Sequence, residues 1–503
     1  MRTVAQLVKR TRALGQRLLT PGNTLSQRVI HAGFWAFALR IVDRLFGLAR
    51  TVILARLLAP EDFGLFGIAL LALSMLETFS ETGFNAAIIQ KKGDVKPYLD
   101  TAWTVQVIRG CLLALLLLVI APYVAMFFGE PGATSLVRAL ALVTVLRGLV
   151  NTGVLYFRKE LEFHKEFLYM FSGTLVDMAV AIPAALILRN AWALIFGLVA
   201  GQFVRVVVSY FVHPYRPRLK LERSKVTELY TYGRWIFGAK VAAFLALYGD
   251  DIFVGRVLGA AALGFYQLAF RFSNMTATEV THVTSEVTFP AYAKLQSDIS
   301  KLKEAFLKTL EAIMAITLPL AVGIVMLGPS FVHLFLGAKW IPMIPALQIL
   351  AISGLIRSIV ATGGALFIGA GKPEMDFWMN LARVGVMAIL IYPLTTSLGI
   401  TGTAITALLG IVSTLPIWWY AVSRITKCHT RELLTSFSPA LLGSGIMVLI
   451  VWFFMFLLKP ATHVHWIVLV IIATTSYFIC QLVLWSYSRR GFFRIFKFIW
   501  EVF

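Results

Sequence analysis

The chain is a succession of apolar stretches, each about as long as a hydrocarbon core is thick. A bilayer core of about 30 Å takes ~20 helical apolar residues to cross. Within it only helices and closed barrels satisfy their own backbone, and stretches of this length are helical rather than barrel strands. The stretches run near 31–55, 63–90, 98–128, 135–157, 166–188, 191–213, 226–255, 262–290, 304–328, 342–370, 374–396, 399–423, 436–458 and 465–487. Hydrophobic residues fill 59% of 503 positions and charged residues 14%, where soluble domains have roughly 45–50% and about 25%. The pattern predicts an all-α polytopic membrane protein of about fourteen transmembrane helices.

A net charge of +21 raises the question of nucleic acid, and its placement answers it. With the N-terminus inside, twenty-eight basic residues fall in cytoplasmic segments. The outer loops carry six: Arg56, Arg138, Arg189, Arg256, Lys339 and Lys459. This asymmetry is the positive-inside signature. It predicts a multi-pass protein of the plasma membrane with both termini cytoplasmic and no nucleic-acid partner. Residues 1–30 repeat Val4, Leu7, Val8, Leu14 and Leu18 at helical spacing among arginines, as suits a basic segment lying on an anionic leaflet. The tail 488–503 (after Ser488, RRGFFRIFKFIWEVF) reads as a basic, aromatic interfacial helix. Three cysteines, Cys111, Cys428 and Cys480, show no metal-ligand or disulfide spacing.

An internal repeat appears at an offset of 200. Residues 52–70 (VILARLLAPEDFGLFGIAL) align with 252–270 (IFVGRVLGAAALGFYQLAF), with Arg56/Arg256, Leu58/Leu258, Gly64/Gly264 and Ala69/Ala269 identical. Six spans separate the copies, so both halves share one orientation, a transporter arrangement of parallel repeats. The expected organisation is 31–213 (helices 1–6), a basic cytoplasmic linker at 214–225, 226–424 (helices 7–12), and a terminal pair at 425–487. Pro183 and Pro393 fall in equivalent helices of the halves, where proline bends a helix.

The segment 34–69, with ILARLLAPEDFG at 53–64, resembles the N-terminus of polysaccharide flippases of the Wzx-like, polysaccharide-transport branch of the MOP exporter superfamily. GDDIFVGRVLGAAALGFYQLAFRF (249–272) is similar to that branch's seventh-helix motif, and the resemblance covers roughly 30–485. Within the branch it is most similar to exporters of colanic-acid or exopolysaccharide type. The resemblance implies two six-helix lobes forming a V-shaped cavity, with two helices appended. It also implies transport of undecaprenyl-diphosphate-linked oligosaccharide to the outer leaflet. A polymerase or glycosyltransferase complex is the accompanying partner expectation.

Ionisable side chains inside membrane helices mark sites or buried pairs. Arg40, Asp43, Arg44 and Arg50 share a sector of about 120° at 3.6 residues per turn. They face either a wet cavity, where guanidinium suits a diphosphate, or helix-tying partners. Arg271, Asn274, Thr278, Glu279, His282, Ser285 and Glu286 make a second polar face, and Ser74, Glu77, Glu81 and Asn85 a third. Single basic residues complete the candidate substrate contacts: Arg109, Arg147, Lys240, Arg357 and Arg383. For Arg205, near a cytoplasmic end, a structural role is expected. Asp43, Glu77, Glu81, Asp250 and Glu279 are candidate coupling carboxylates. Asp251 lies near the face of Lys240; Asp250 is left as a free carboxylate or a solvated helix end. Transport requires no catalytic residue, cofactor or metal, and none is assigned. The alternative function is a multidrug cation antiporter of the same architecture, against which the helix 1 arginines argue. A glycan polymerase or ligase is disfavoured by the short outer loops.

Overall fold

The computed structural model describes residues 42–80, 96–160, 162–372, 374–458 and 462–488, with side chains at these positions except 96, 97, 158, 159, 163, 223–243, 246, 275–287, 290 and 485–488. Arg40, Glu81, the first thirty residues and the tail after Ser488 fall outside the described residues, as do the side chains of Lys240 and Glu279. Every described secondary-structure element is helical. Contacts divide the chain into two compact units, Met1–Tyr248 and Gly249–Phe503.

In the first unit, α1 occupies 42–57 and α2 runs Pro60–Phe79. They are followed by α3 (Lys96–Phe128), α4 (Ala133–Gly148), the short α5 (Leu155–Lys159), α6 (Phe163–Leu188) and α7 (Trp192–Val212). The break between α1 and α2 is written in the sequence. Pro60 sits at the first helical position with Glu61 and Asp62 in the first turn, where a missing N–H and negative charge are both tolerated. The Asp62 carboxylate accepts the Ala59 N–H at 2.9 Å. Helices α6 and α7 form a tight pair, α3 packs on α4, and α4 also touches α2 and α7. The cores between them are small-residue and leucine clusters, such as Leu54, Leu58, Ala181, Ala185, Ala193 and Leu194.

A single element, α8 (Arg223–Leu295), carries both spans expected at 226–255 and 262–290, interrupted at Gly259 with φ 84° and ψ −179°. That left-handed φ is one glycine adopts freely. The second unit continues with α9 (Ile299–Phe331), α10 (Ile344–Gly369), α11 (Glu374–Leu398), α12 (Ile400–Val412), α13 (Leu415–Thr426), α14 (Thr430–Leu458) and α15 (His463–Ser488). Here α9 packs on α10 and α14, α11 on α12, and α14 on α15. The expected span 399–423 is two helices, broken before Pro416.

The break at Gly259 lies 200 residues after the one at Ala59, so the repeat is one of structure as well as letters. Burial follows the same register. Leu54/Val254, Gly64/Gly264, Ile68/Leu268 and Ala69/Ala269 are buried in both copies, while Arg56 and Arg256 are exposed in both.

Eleven helices among the described residues are long and apolar enough to cross a membrane. The expected span 135–157 is not one of them, because α4 stops at Gly148 and a 3-10 turn follows. Large apolar side chains point outward: Ile187 is 81% exposed, Phe211 84% and Phe456 77%. Apolar surface on that scale belongs against lipid, and the chain is a multi-pass membrane protein. Pro183 and Pro393 lie inside α6 and α11.

Candidate functional site

Charged groups gather in two places in the first unit. On α1, Arg50 donates from Nη2 to the Asp177 carboxylate of α6 at 2.9 Å, with side-chain exposures of 11% and 20%. One turn away on the same two helices, the Thr174 hydroxyl donates to Asp43 at 2.8 Å, and Phe46 meets Phe171 edge to face at 5.1 Å. The polar stripe of α1 therefore turns Asp43 and Arg50 toward α6. Arg44 is exposed. Arg205 of α7 reaches Thr174 at 3.4 Å, which places it in the same helix-tying set, as expected of it.

The second gathering joins α2, α3 and α4. Nη1 of Arg147 donates to both carboxylate oxygens of Glu77, at 2.5 and 2.6 Å. Arg109 donates to the Ser80 hydroxyl at 3.0 Å and to the Glu77 carbonyl at 2.9 Å. Gln106 donates to the Arg147 carbonyl at 2.7 Å. Glu77 is thus paired with Arg147 through both carboxylate oxygens. Arg147 remains 40% exposed. A guanidinium held at one end by a carboxylate still has N–H groups to offer a second anion.

In the second unit, Asp250 is neither free nor solvated. It is 4% exposed, accepts the Tyr266 hydroxyl at 2.7 Å and accepts the Asp251 N–H at 3.1 Å. Its partner lies sixteen residues on, beyond the Gly259 break, where the chain leaves the first helical axis. Asp251 accepts a hydrogen bond from the Gln267 side chain. Arg357 of α10 stacks over the Phe270 ring at 5.2 Å, and Asp250, Tyr266 and Arg383 lie within its electrostatic reach. Among the described residues Arg357 makes no ion pair, and its buried Nε has no hydrogen-bond partner. Arg383 sits on α11 against Gly410 of α12, and Arg271 is exposed on α8.

Eight of the candidates thus fall into sets: Glu77 with Arg109 and Arg147, Arg50 beside Asp43, and Asp250 with Arg357 and Arg383 nearby. Sequence reasoning did not single out Asp177, Thr174, Tyr266 or Phe270 as site residues. Asp177 alone carried a signal, as a carboxylate within an apolar span. No cluster of three or more metal-ligating side chains exists among the described residues.

A helical bundle crossing the membrane many times, with guanidiniums and carboxylates drawn inward, defines a polytopic transporter-type protein. The fold is that of the MOP superfamily. A structure of the lipid II flippase MurJ in an inward closed conformation superposes with a TM-score of 0.70, covering 91% of this chain and 100% of that one at 16% identity. An inward-facing multidrug-resistance MATE transporter gives 0.60, covering 78% and 98% at 18% identity. Residues 53–345 match the family described as polysaccharide biosynthesis protein, and the chain belongs to that family. Among curated relatives, the lipopolysaccharide biosynthesis protein WzxC of Escherichia coli K12 is 26% identical over 362 residues, 72% of this chain and 74% of that one.

Proposed function

We propose that this chain is a flippase that carries undecaprenyl-diphosphate-linked oligosaccharide repeat units across the bacterial inner membrane by alternating access, for exopolysaccharide or O-antigen assembly. The observation that carries the reading is membership of the polysaccharide biosynthesis family over 53–345 on a fold shared with a lipid II flippase. The guanidiniums carried within the membrane helices support it chemically. A diphosphate is a dense anion, and arginine's planar fork bonds its oxygens in pairs while staying charged away from water. Arg147, Arg357 and Arg383 are the described residues best suited to that contact; Arg40, Arg44 and Arg271 complete the set. In this reading the halves 31–213 and 226–424 are the two working lobes, with 425–487 appended. Both termini face the cytoplasm, as the charge asymmetry supports. No bond is made or broken, so the protein is a transporter and not an enzyme. A glycan polymerase or glycosyltransferase complex would supply and consume its cargo. A cation antiporter would need carboxylates left open to a cation, whereas Glu77 is engaged by Arg147 and Asp250 by Tyr266.

The test is surface glycan in a strain lacking the chromosomal copy. Arg40→Ala, Arg44→Ala, Arg147→Gln, Arg271→Ala and Arg357→Gln are expected to abolish surface glycan at undiminished protein level, with the lipid-linked unit accumulating inside. Full export by the Arg40→Ala/Arg44→Ala double variant would remove the helix 1 arginines from the diphosphate site. Normal glycan in the deletion strain, with new sensitivity to cationic dyes, would overturn the flippase reading.

A further inference from the structure

The segment 213–222, which follows α7, is bound down along its length. The Asp100 carboxylate of α3 accepts the Tyr215 hydroxyl and the Arg218 N–H at 2.9 Å. Four residues on, Thr104 accepts the Lys220 N–H at 2.9 Å. From the turn after α4, Asn151 donates to the Tyr215 carbonyl at 2.7 Å. His213 stacks on Tyr156, with ring centroids 5.6 Å apart and 4° between planes. A loop that was merely a tether would leave these backbone groups to water. Here they are taken up by side chains of two neighbouring elements.

This docking sets a position along α3. The helix α3 has 33 residues, about 50 Å at 1.5 Å per residue, which is longer than the ~30 Å hydrocarbon core it crosses. The segment runs along the first turns of this membrane helix, the end that extends toward the headgroups. Tyr215 and Pro217 are half-buried against the protein, while Arg216, Arg218, Leu219, Lys220 and Leu221 are all exposed, the two leucines at 75% and 58%. Two leucines without cover beside three cations are poorly placed for water, and well placed where apolar tails meet anionic headgroups. The existing partners of the cations leave capacity. Arg216 uses Nη1 on the carbonyls of His213 and Tyr215, Lys220 makes a surface pair with Glu222 at 2.7 Å, and Arg218 makes no ion pair among the described residues.

We infer that residues 215–222 form a fixed binding strip for anionic phospholipid, the headgroup phosphates held by Arg216, Arg218 and Lys220 and the acyl chains by Leu219 and Leu221. The strip needs only the membrane-spanning fold, so it stands or falls apart from the flippase reading. Charge complementarity favours lipid over a protein partner, because the cations and the exposed leucines lie side by side at the end of a membrane-spanning helix.

The test uses the full chain in nanodiscs of phosphatidylcholine alone or with one quarter phosphatidylglycerol, with retained lipid counted by native mass spectrometry. The intact protein should retain phosphatidylglycerol preferentially. Each basic residue near an anionic surface is worth about five-fold in binding, so Arg216→Gln/Arg218→Gln/Lys220→Gln should lower the preference on the order of 100-fold. Leu219→Ser/Leu221→Ser should weaken retention of both lipids. A photoreactive residue at position 219 in the otherwise unchanged chain should crosslink to phospholipid, a readout that survives if the triple variant misfolds. Unchanged phosphatidylglycerol retention in a folded triple variant, or crosslinks from 219 to protein alone, would overturn the inference.

Discussion

Arg50→Ala isolates the question of whether the helix 1 stripe is a binding surface or a structural tie. The Arg50–Asp177 pair is 2.9 Å long and its side chains are only 11% and 20% exposed, so solvent does little to replace a lost partner. Removing one member of a buried pair costs up to ~3–5 kcal/mol, and Asp177 keeps a further contact when Arg50 is lost. The 20% exposure of Asp177 and relaxation around it argue for the low end, about 3 kcal/mol, or on the order of 100-fold in the folding equilibrium. Replacing both residues by leucine removes the desolvation cost along with the attraction. Arg50→Leu/Asp177→Leu should therefore lie within about 1 kcal/mol of the parent. The measurement is reversible unfolding in mixed dodecylmaltoside–dodecyl sulfate micelles, followed by far-ultraviolet circular dichroism, alongside glycan export in cells. A single variant as stable as the parent would refute the pair's structural role. A stable double variant with no export would return Arg50 to the substrate path.

Two further outcomes follow from local geometry. A methyl group added at Gly402 of α12 would stand 1.8 Å from the Leu394 carbonyl oxygen of α11. Backbone cannot yield as a side chain does, so Gly402→Ala should cost at least ~1–3 kcal/mol and sharply lower the folded protein recovered from membranes, whereas Gly385→Ala, which meets open space, should not. His213 is held below its ordinary value of 6.5, first by burial and then by the Lys165 charge. A base whose folded value is depressed stabilises the fold fully above the unfolded value and loses that contribution as pH falls. Docking of 213–222 should loosen as pH drops from about 7 to about 5. Hydrogen exchange at the Arg218 and Lys220 amides, corrected for intrinsic rate, should show protection falling over that interval; equal protection at both ends would contradict it.

The repeat was legible because it is written in local chemistry. Pro60 and its acidic first turn stop α1 and start α2, and Gly259 performs the same break in the second copy with a positive φ. Neither needs a distant residue. That Arg50, Arg147 and Arg357 each need a partner, a cavity or an interface was likewise legible, since a charged side chain is costly against lipid. Their partners were not. Asp177 stands 127 residues from Arg50 and Glu77 70 residues from Arg147, and no periodicity connects such positions. Asp250 shows the difference most clearly. As one of two adjacent acids near a helix end it read as free or solvated. The turn at Gly259 instead brings Tyr266 back to within 2.7 Å of it.

The amino-acid order by itself determined that this chain spans a membrane many times and carries a repeat at an offset of 200 residues. Hydrocarbon thickness, helical rise and the cost of moving charge across a bilayer act on each segment separately. Tertiary structure alone decided which charges within the helices are paired, and with what. Glu77 and Asp177 are spent on arginines and Asp250 on a tyrosine, while Arg357 rests on an aromatic ring. Such pairing depends on which helices become neighbours, and that is a property of packing rather than of any single stretch of sequence.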